Sequence, residues 1–225
     1  MAPQSTAAKS TAQSAGKIRQ LPVRQRRPGF GDRPPHGGSE GEEPFISNGR
    51  LAVLMLLATE AMLFSGFIGS FIVFRNAAAF WPPPGLPRLP LFVTEINTVV
   101  LLSSALTMNL AVRRIRANKS GQLKRWLAVT AMLGTTFLAI QGSEWARLLA
   151  HGLKMSSGTY GATFYTLIGC HGLHVVGAVI WLLIIFGGAL RGRYNQRNHA
   201  AVEICAIYWY FVCAVWPVLF VLVYL

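Results

Sequence analysis

Five apolar stretches, at about residues 51–75, 91–112, 126–148, 162–190 and 203–225, are each long enough to cross a bilayer. A hydrocarbon core about 30 Å thick needs roughly 20 helical residues, each rising about 1.5 Å. Hydrocarbon offers the backbone no hydrogen-bond partners, so a single lipid-facing stretch must satisfy its own N–H and C=O groups, and only a helix does so. The chain is therefore predicted to be all-α, a polytopic membrane protein with five transmembrane helices over residues 50–225 and a tail over residues 1–49. With 52% hydrophobic and only 13% charged residues, an ordinary water-soluble domain is excluded.

A net charge of +13 would suggest nucleic-acid binding in a soluble protein, but here the placement of the charges matters more than their sum. Basic residues crowd before the first stretch (Arg24, Arg26, Arg27, Arg33, Arg50), between the second and third (Arg113, Arg114, Arg116, Lys119, Lys124, Arg125), and after the fourth (Arg191, Arg193, Arg197). The intervening connections hold chiefly Arg75, Arg88, Arg147 and Lys154. The positive-inside rule then predicts a cytoplasmic N-terminus and an external C-terminus. No nucleic-acid partner is expected, because the loop charges sit at membrane boundaries and no aromatic residues interleave with the basic ones in the tail.

The tail is rich in Ala, Ser, Gln, Pro, Gly and Arg and turns acidic at Glu40, Glu42 and Glu43. Lacking apolar periodicity, it is predicted to be a basic, extended segment that builds no core. It has no secretory apolar region, and its Arg- and Ser-rich start resembles an organellar transit peptide. Cys170, Cys205 and Cys213 all fall inside the spans without metal-type spacing and read as small buried hydrophobes.

Four glutamates lie within the spans: Glu60, Glu95, Glu144 and Glu203. An ionised carboxylate at mid-span costs about 2.5 to 3.5 kcal/mol on insertion scales, so each is expected to face protein and to be protonated, paired or hydrated. Counting about 1.5 Å per residue from Leu51 puts Glu60 roughly 14 Å deep. His171 and His174, counted from Ala162, fall about 14 to 18 Å deep, in the same layer. Glu95 and Glu144 form a shallower layer near the outer face. Glu203 lies near the cytoplasmic face, within reach of the arginines after the fourth helix.

Helical spacing aligns Thr94, Asn97, Leu101 and Ser104 on one stripe, and Gly134, Leu138, Gln141 and Glu144 or Trp145 on another. Both are read as inward faces, with Asn97 and Gln141 as structural polar groups. Gly66 and Ser70 read as a small-residue packing seam. Two histidines at i and i+3 with no third suitably spaced ligand give no metal site. A midplane carboxylate beside imidazoles admits two readings, a structural hydrogen bond or proton exchange by Glu60, His171 and His174.

Five segments, taken in order, resemble subunit III of the haem-copper terminal oxidases, the cytochrome c oxidase subunit III family in its five-helix bacterial type. They are Thr59–Gly66 (TEAMLFSG), Trp81-Pro82-Pro83, Ile96-Asn97-Thr98 with Leu101–Ser104, Gln141–Glu144, and Tyr160–Phe164 through His171-Gly172-Leu173-His174-Val175. A sixth, Glu203 with Tyr208–Val212 and Trp216, looks like the family's last helix.

The resemblance implies two helix groups around a lipid-holding cleft, and a non-catalytic subunit of a proton-pumping oxidase that reduces dioxygen to water. It implies packing against subunit I, with subunit II and other membrane subunits nearby, in the bacterial plasma (inner) membrane. Haem and copper would lie in those partners and phospholipid in this chain. Glu60 matches the family's buried, carbodiimide-reactive carboxylate, while His171, His174 and Glu203 match other polar positions. Arg191 and Arg193 are the candidates for lipid headgroups.

Tyr210 and Cys213 stand where the family usually has histidine and aspartate, so the resemblance does not extend to a function carried by that pair. An accessory subunit of a quinol oxidase or nitric oxide reductase system fits the same motifs. A small proton-coupled transporter using Glu60 and His174 is the reading from another class, but neither inverted repeats nor paired broken helices support it.

Overall fold

The computed structural model describes residues 48–81, 83 and 91–224, and these form five helices. They are α1 (Asn48–Ala77), α2 (Leu91–Arg116), α3 (Ser120–Ala150), α4 (Thr159–Leu190) and α5 (Ala200–Tyr224), each long and apolar enough to cross a membrane. All five expected spans are present. The helices overrun most of the apolar limits because backbone hydrogen bonding continues past the apolar stretch. At the end of α2, for instance, Arg113, Arg114 and Arg116 occupy the last turn, where cations meet the negative end of the helix dipole. The tail, apart from the first residues of α1, and most of the proline-rich loop after Trp81 lie outside the described residues.

Three helix ends close in the same way. After α3, Gly152 (φ 92°) donates to the Leu149 carbonyl and Leu153 donates to that of Leu148. After α4, Gly192 (φ 71°) and Arg193 do the same to Ala189 and Gly188. After α2, Asn118 (φ 58°) and Lys119 bond Ile115 and Arg114. This is the Schellman closure, which requires a left-handed residue just past the helix and so selects Gly or Asn.

Helices α2, α3, α4 and α5 form a closed ring, each packed on the next and α5 on α2. Among the described helices, α1 packs on α4 and α5 alone, so the two groups are a four-helix bundle and a flanking helix. Within a bilayer, close packing and polar links hold helices together in place of the hydrophobic effect. The bundle has both. Trp209 and Trp216 of α5, Phe137 of α3 and Phe164 of α4 are almost fully buried, and the Trp209 indole lies over Gly134 of α3. By contrast, only Val53, Phe64 and Phe71 of α1 are buried.

The expected seam at Gly66 and Ser70 is corrected. Both are exposed, and nothing comes within 4 Å of a Cβ placed on Gly66. Phe64 and Phe71 set the packed face of α1, and Gly66, two positions from Phe64, points away from it.

Candidate functional site

Glu60 on α1 and His174 on α4 meet where these helices pack. Glu60 Oε2 lies 2.7 Å from His174 Nε2, with the two side chains 19% and 16% exposed. The other ring nitrogen, Nδ1, lies 2.7 Å from the Cys170 carbonyl oxygen one turn back. A carbonyl can only accept, so Nδ1 carries a hydrogen. The contact to Glu60 then holds one further proton, either on the carboxyl beside a neutral imidazole or on the imidazole beside a carboxylate. Both forms carry zero net charge, which is how α1 keeps a carboxyl group in mid-span without an isolated buried ion.

His171 belongs to the same layer but turns elsewhere. It is 1% exposed and stacks on Trp216, with ring centroids 5.2 Å apart and planes 27° apart. Among the described residues, neither ring nitrogen has a hydrogen-bond partner. Phe64 stands edge-on to both imidazoles, at 6.2 Å from His171 and 5.2 Å from His174. Of the three groups expected in this layer, two are therefore joined and the third is separate.

The inward stripe of α2 is present as expected, with Thr94, Asn97, Leu101 and Ser104 all buried. Asn97 Nδ2 donates to the Phe137 carbonyl at 3.2 Å and to Gln141 Oε1 at 3.5 Å, and Gln141 Nε2 donates to Tyr224 Oη at 3.3 Å. Glu144 is buried and takes Arg147 Nη1 at 3.0 Å along its own helix. Glu95 is corrected: it is exposed. One position past buried Thr94, it is turned by about 100° around a helix of 3.6 residues per turn, away from the bundle.

At the Asn48 end of α1, Glu203 accepts hydrogen bonds from Arg50 of α1 and from Arg116 Nε of α2 at 2.7 Å, and His199 Nε2 lies 3.1 Å away. The arginines after α4 are not its partners, and Arg191 and Arg193 stay exposed. Arg50 lies in the first turn of α1 and Arg116 ends α2, so these two helix termini flank the first turn of α5 while Gly192 turns the chain away from the end of α4. At the opposite end of α1, Arg75 Nη1 donates to the Leu222 carbonyl of α5 at 2.8 Å. Helix α1, poor in buried residues, is thus tied at both ends and in the middle.

Several links have no signature in the sequence. Trp209 Nε1 donates to Ser104 Oγ at 3.1 Å and Trp216 Nε1 to Thr98 Oγ1 at 2.8 Å, fastening α5 to α2. Helical spacing places Ser104 on the inward stripe of α2, but nothing in it pairs α2 with α5. Cys213 approaches Ser104 at 3.8 Å, and Cys170, Cys205 and Cys213 are all free. Among the described residues, no three His, Cys, Asp or Glu side chains are placed to hold a metal ion.

The architecture is that of a multi-pass helical membrane protein with a half-buried polar pair between two of its helices. Residues 39–225 match the family model for Cytochrome c oxidase subunit III. Cytochrome c oxidase subunit 3 of Synechocystis is 35% identical over 174 residues, covering 77% of this chain and 73% of the relative. Its counterpart in Thermostichus vulcanus is 32% identical over 176 residues (78% and 86%), and that of Homo sapiens 33% identical over 181 residues (78% and 68%). The chain belongs to the cytochrome c oxidase subunit III family.

Proposed function

We propose that the chain is a non-catalytic subunit that packs against subunit I of a proton-pumping cytochrome c oxidase, supports its proton uptake and prolongs its working life. The observation that carries this reading is the Glu60–His174 pair, in which two titratable groups share one proton at 2.7 Å. Such a pair shifts its proton between the two side chains without placing a net charge in the membrane, and exchanges it when a second proton arrives as the first leaves. The haem and copper belong to the partner subunits, subunit I and subunit II.

The same reading has the N-terminus in the cytoplasm and the C-terminus outside, in a bacterial plasma membrane. The clusters at Arg113–Arg116 and Arg191–Arg197 fall on one side, as the positive-inside rule requires. Structural phospholipid occupies the groove of about 230 Å³ between α1 and α4, lined by Phe67, Ser70, Phe74, Thr163 and Thr166. Arg191 and Arg193, exposed past the end of α4, hold lipid headgroups on the cytoplasmic side.

The test is purification of the tagged full chain in mild detergent. Stoichiometric recovery of a much larger haem- and copper-bearing subunit is expected, and deletion of the chain should shorten the enzyme's life during turnover. Recovery as a free monomer, or an unchanged inactivation rate, would overturn the proposal.

A further inference from the structure

Away from the Glu60–His174 pair, a crevice of about 250 Å³ lies between α3 and α4 and is floored by Trp216 of α5. Its walls are mainly apolar, including Leu138, Ile168, Leu173 and Val176. Glycines open it: nothing comes within 4 Å of a Cβ placed on Gly142 or Gly169. Gly142 and Leu173 are exposed on the bundle surface, so the crevice opens toward the surrounding lipid.

Two polar side chains lining it lack partners among the described residues. His171, 1% exposed, has both ring nitrogens unpaired, and the Trp145 indole N–H is buried and unpaired. Gln141, which also lines the crevice, is already engaged by Asn97 and Tyr224. Unpaired polar groups are costly in hydrocarbon, where the bilayer supplies no water.

We infer that this crevice binds a neutral lipid carrying a single hydroxyl group, with its chain along α3 and α4 and its oxygen at His171 and Trp145. The chemistry selects the class. A single hydroxyl meets one edge of the neutral imidazole, where it donates to the bare ring nitrogen while accepting from the indole N–H. A carbonyl would leave the bare imidazole nitrogen unpaired. Among the described residues, no Lys, Arg or other cation lines the crevice, so they offer nothing to a phosphate headgroup. Walls this apolar do not hold a space this size full of water, whereas a hydrocarbon chain fills it.

The test exposes native membranes containing the full chain to a long-chain primary alcohol that carries a photoreactive diazirine, followed by peptide mapping. Labelling should concentrate on residues 138–145 and 168–176, be displaced by untagged alcohol but not by phosphatidylglycerol, and exceed labelling by the matched alkane about tenfold, as expected for a lost hydrogen bond. Trp145→Phe and His171→Phe should lower alcohol labelling toward the alkane level. Gly142→Leu, which fills the crevice without touching either polar group, should abolish labelling while the chain stays at wild-type abundance. Equal labelling by alcohol and alkane, displacement by phosphatidylglycerol, full labelling of Gly142→Leu, or no labelling because a partner helix covers the site would each overturn the inference.

Discussion

His174 Nε2 lies 2.7 Å from Glu60 Oε2 while its Nδ1 faces the Cys170 carbonyl, so helix α4 presents to α1 a histidine whose one variable proton is shared with a carboxyl group. Substituting Gln at Glu60 keeps a donor toward Nε2, and α1 should stay docked. Leu at the same position leaves Nε2 unpaired and should weaken docking by about 1 to 2 kcal/mol, read as faster amide exchange along α1 in detergent. Equal exchange in Glu60→Leu and the wild type would show that the pair does not hold the helix.

Glu203 ties three helices through Arg50, Arg116 and His199. Removing the carboxylate leaves two guanidinium groups facing each other without an anion. Glu203→Leu should therefore destabilise the chain more than Arg116→Leu. Because Arg116 is 58% exposed, its coupling to Glu203 in a double-mutant cycle should be about 1 kcal/mol or less and should shrink with added salt. A coupling that ignores salt would contradict the exposed geometry.

Gly134 is the seat of the Trp209 indole, and a Cβ there would fall 2.5 Å from Trp209 Cη2. Gly134→Ala should cost about 1 to 3 kcal/mol through overpacking, seen as a lower thermal midpoint by circular dichroism in detergent. Gly142→Ala, at a site with open space, is the control and should leave the midpoint unchanged.

Gly152 and Gly192 end α3 and α4 in the left-handed region. Alanine at either should cost about 1 to 2 kcal/mol, whereas Asn118→Gly at the end of α2 should be tolerated. A midpoint untouched by both alanine substitutions would mean that these turns adopt another conformation.

How far the sequence could be read follows from what each signal encodes. Hydropathy marks the part of a helix that crosses hydrocarbon, so all five spans were legible and their polar ends were not. Helical spacing orders residues around one axis, so the buried stripe from Thr94 to Ser104 was legible. It also separates Glu95 from Thr94 by about 100°, and this turn overrides the general expectation that an intramembrane carboxylate faces protein. Pairing between helices was the least legible. Depth put Glu60 and His174 at one level, but only the packing of α1 against α4 separates His174 from His171. Glu203 was near several arginines in chain order, and the termini that flank α5 decide which ones it meets.

The most direct test of the account is the turnover lifetime of the oxidase carrying this chain as wild type, as Glu60→Gln, or not at all. The Gln variant keeps the link to His174 and loses the shared proton, so it should assemble normally and inactivate faster than the wild type, toward the rate of the enzyme lacking the chain. Normal assembly with a wild-type lifetime would contradict it, leaving Glu60 as a helix fastener with no part in proton supply.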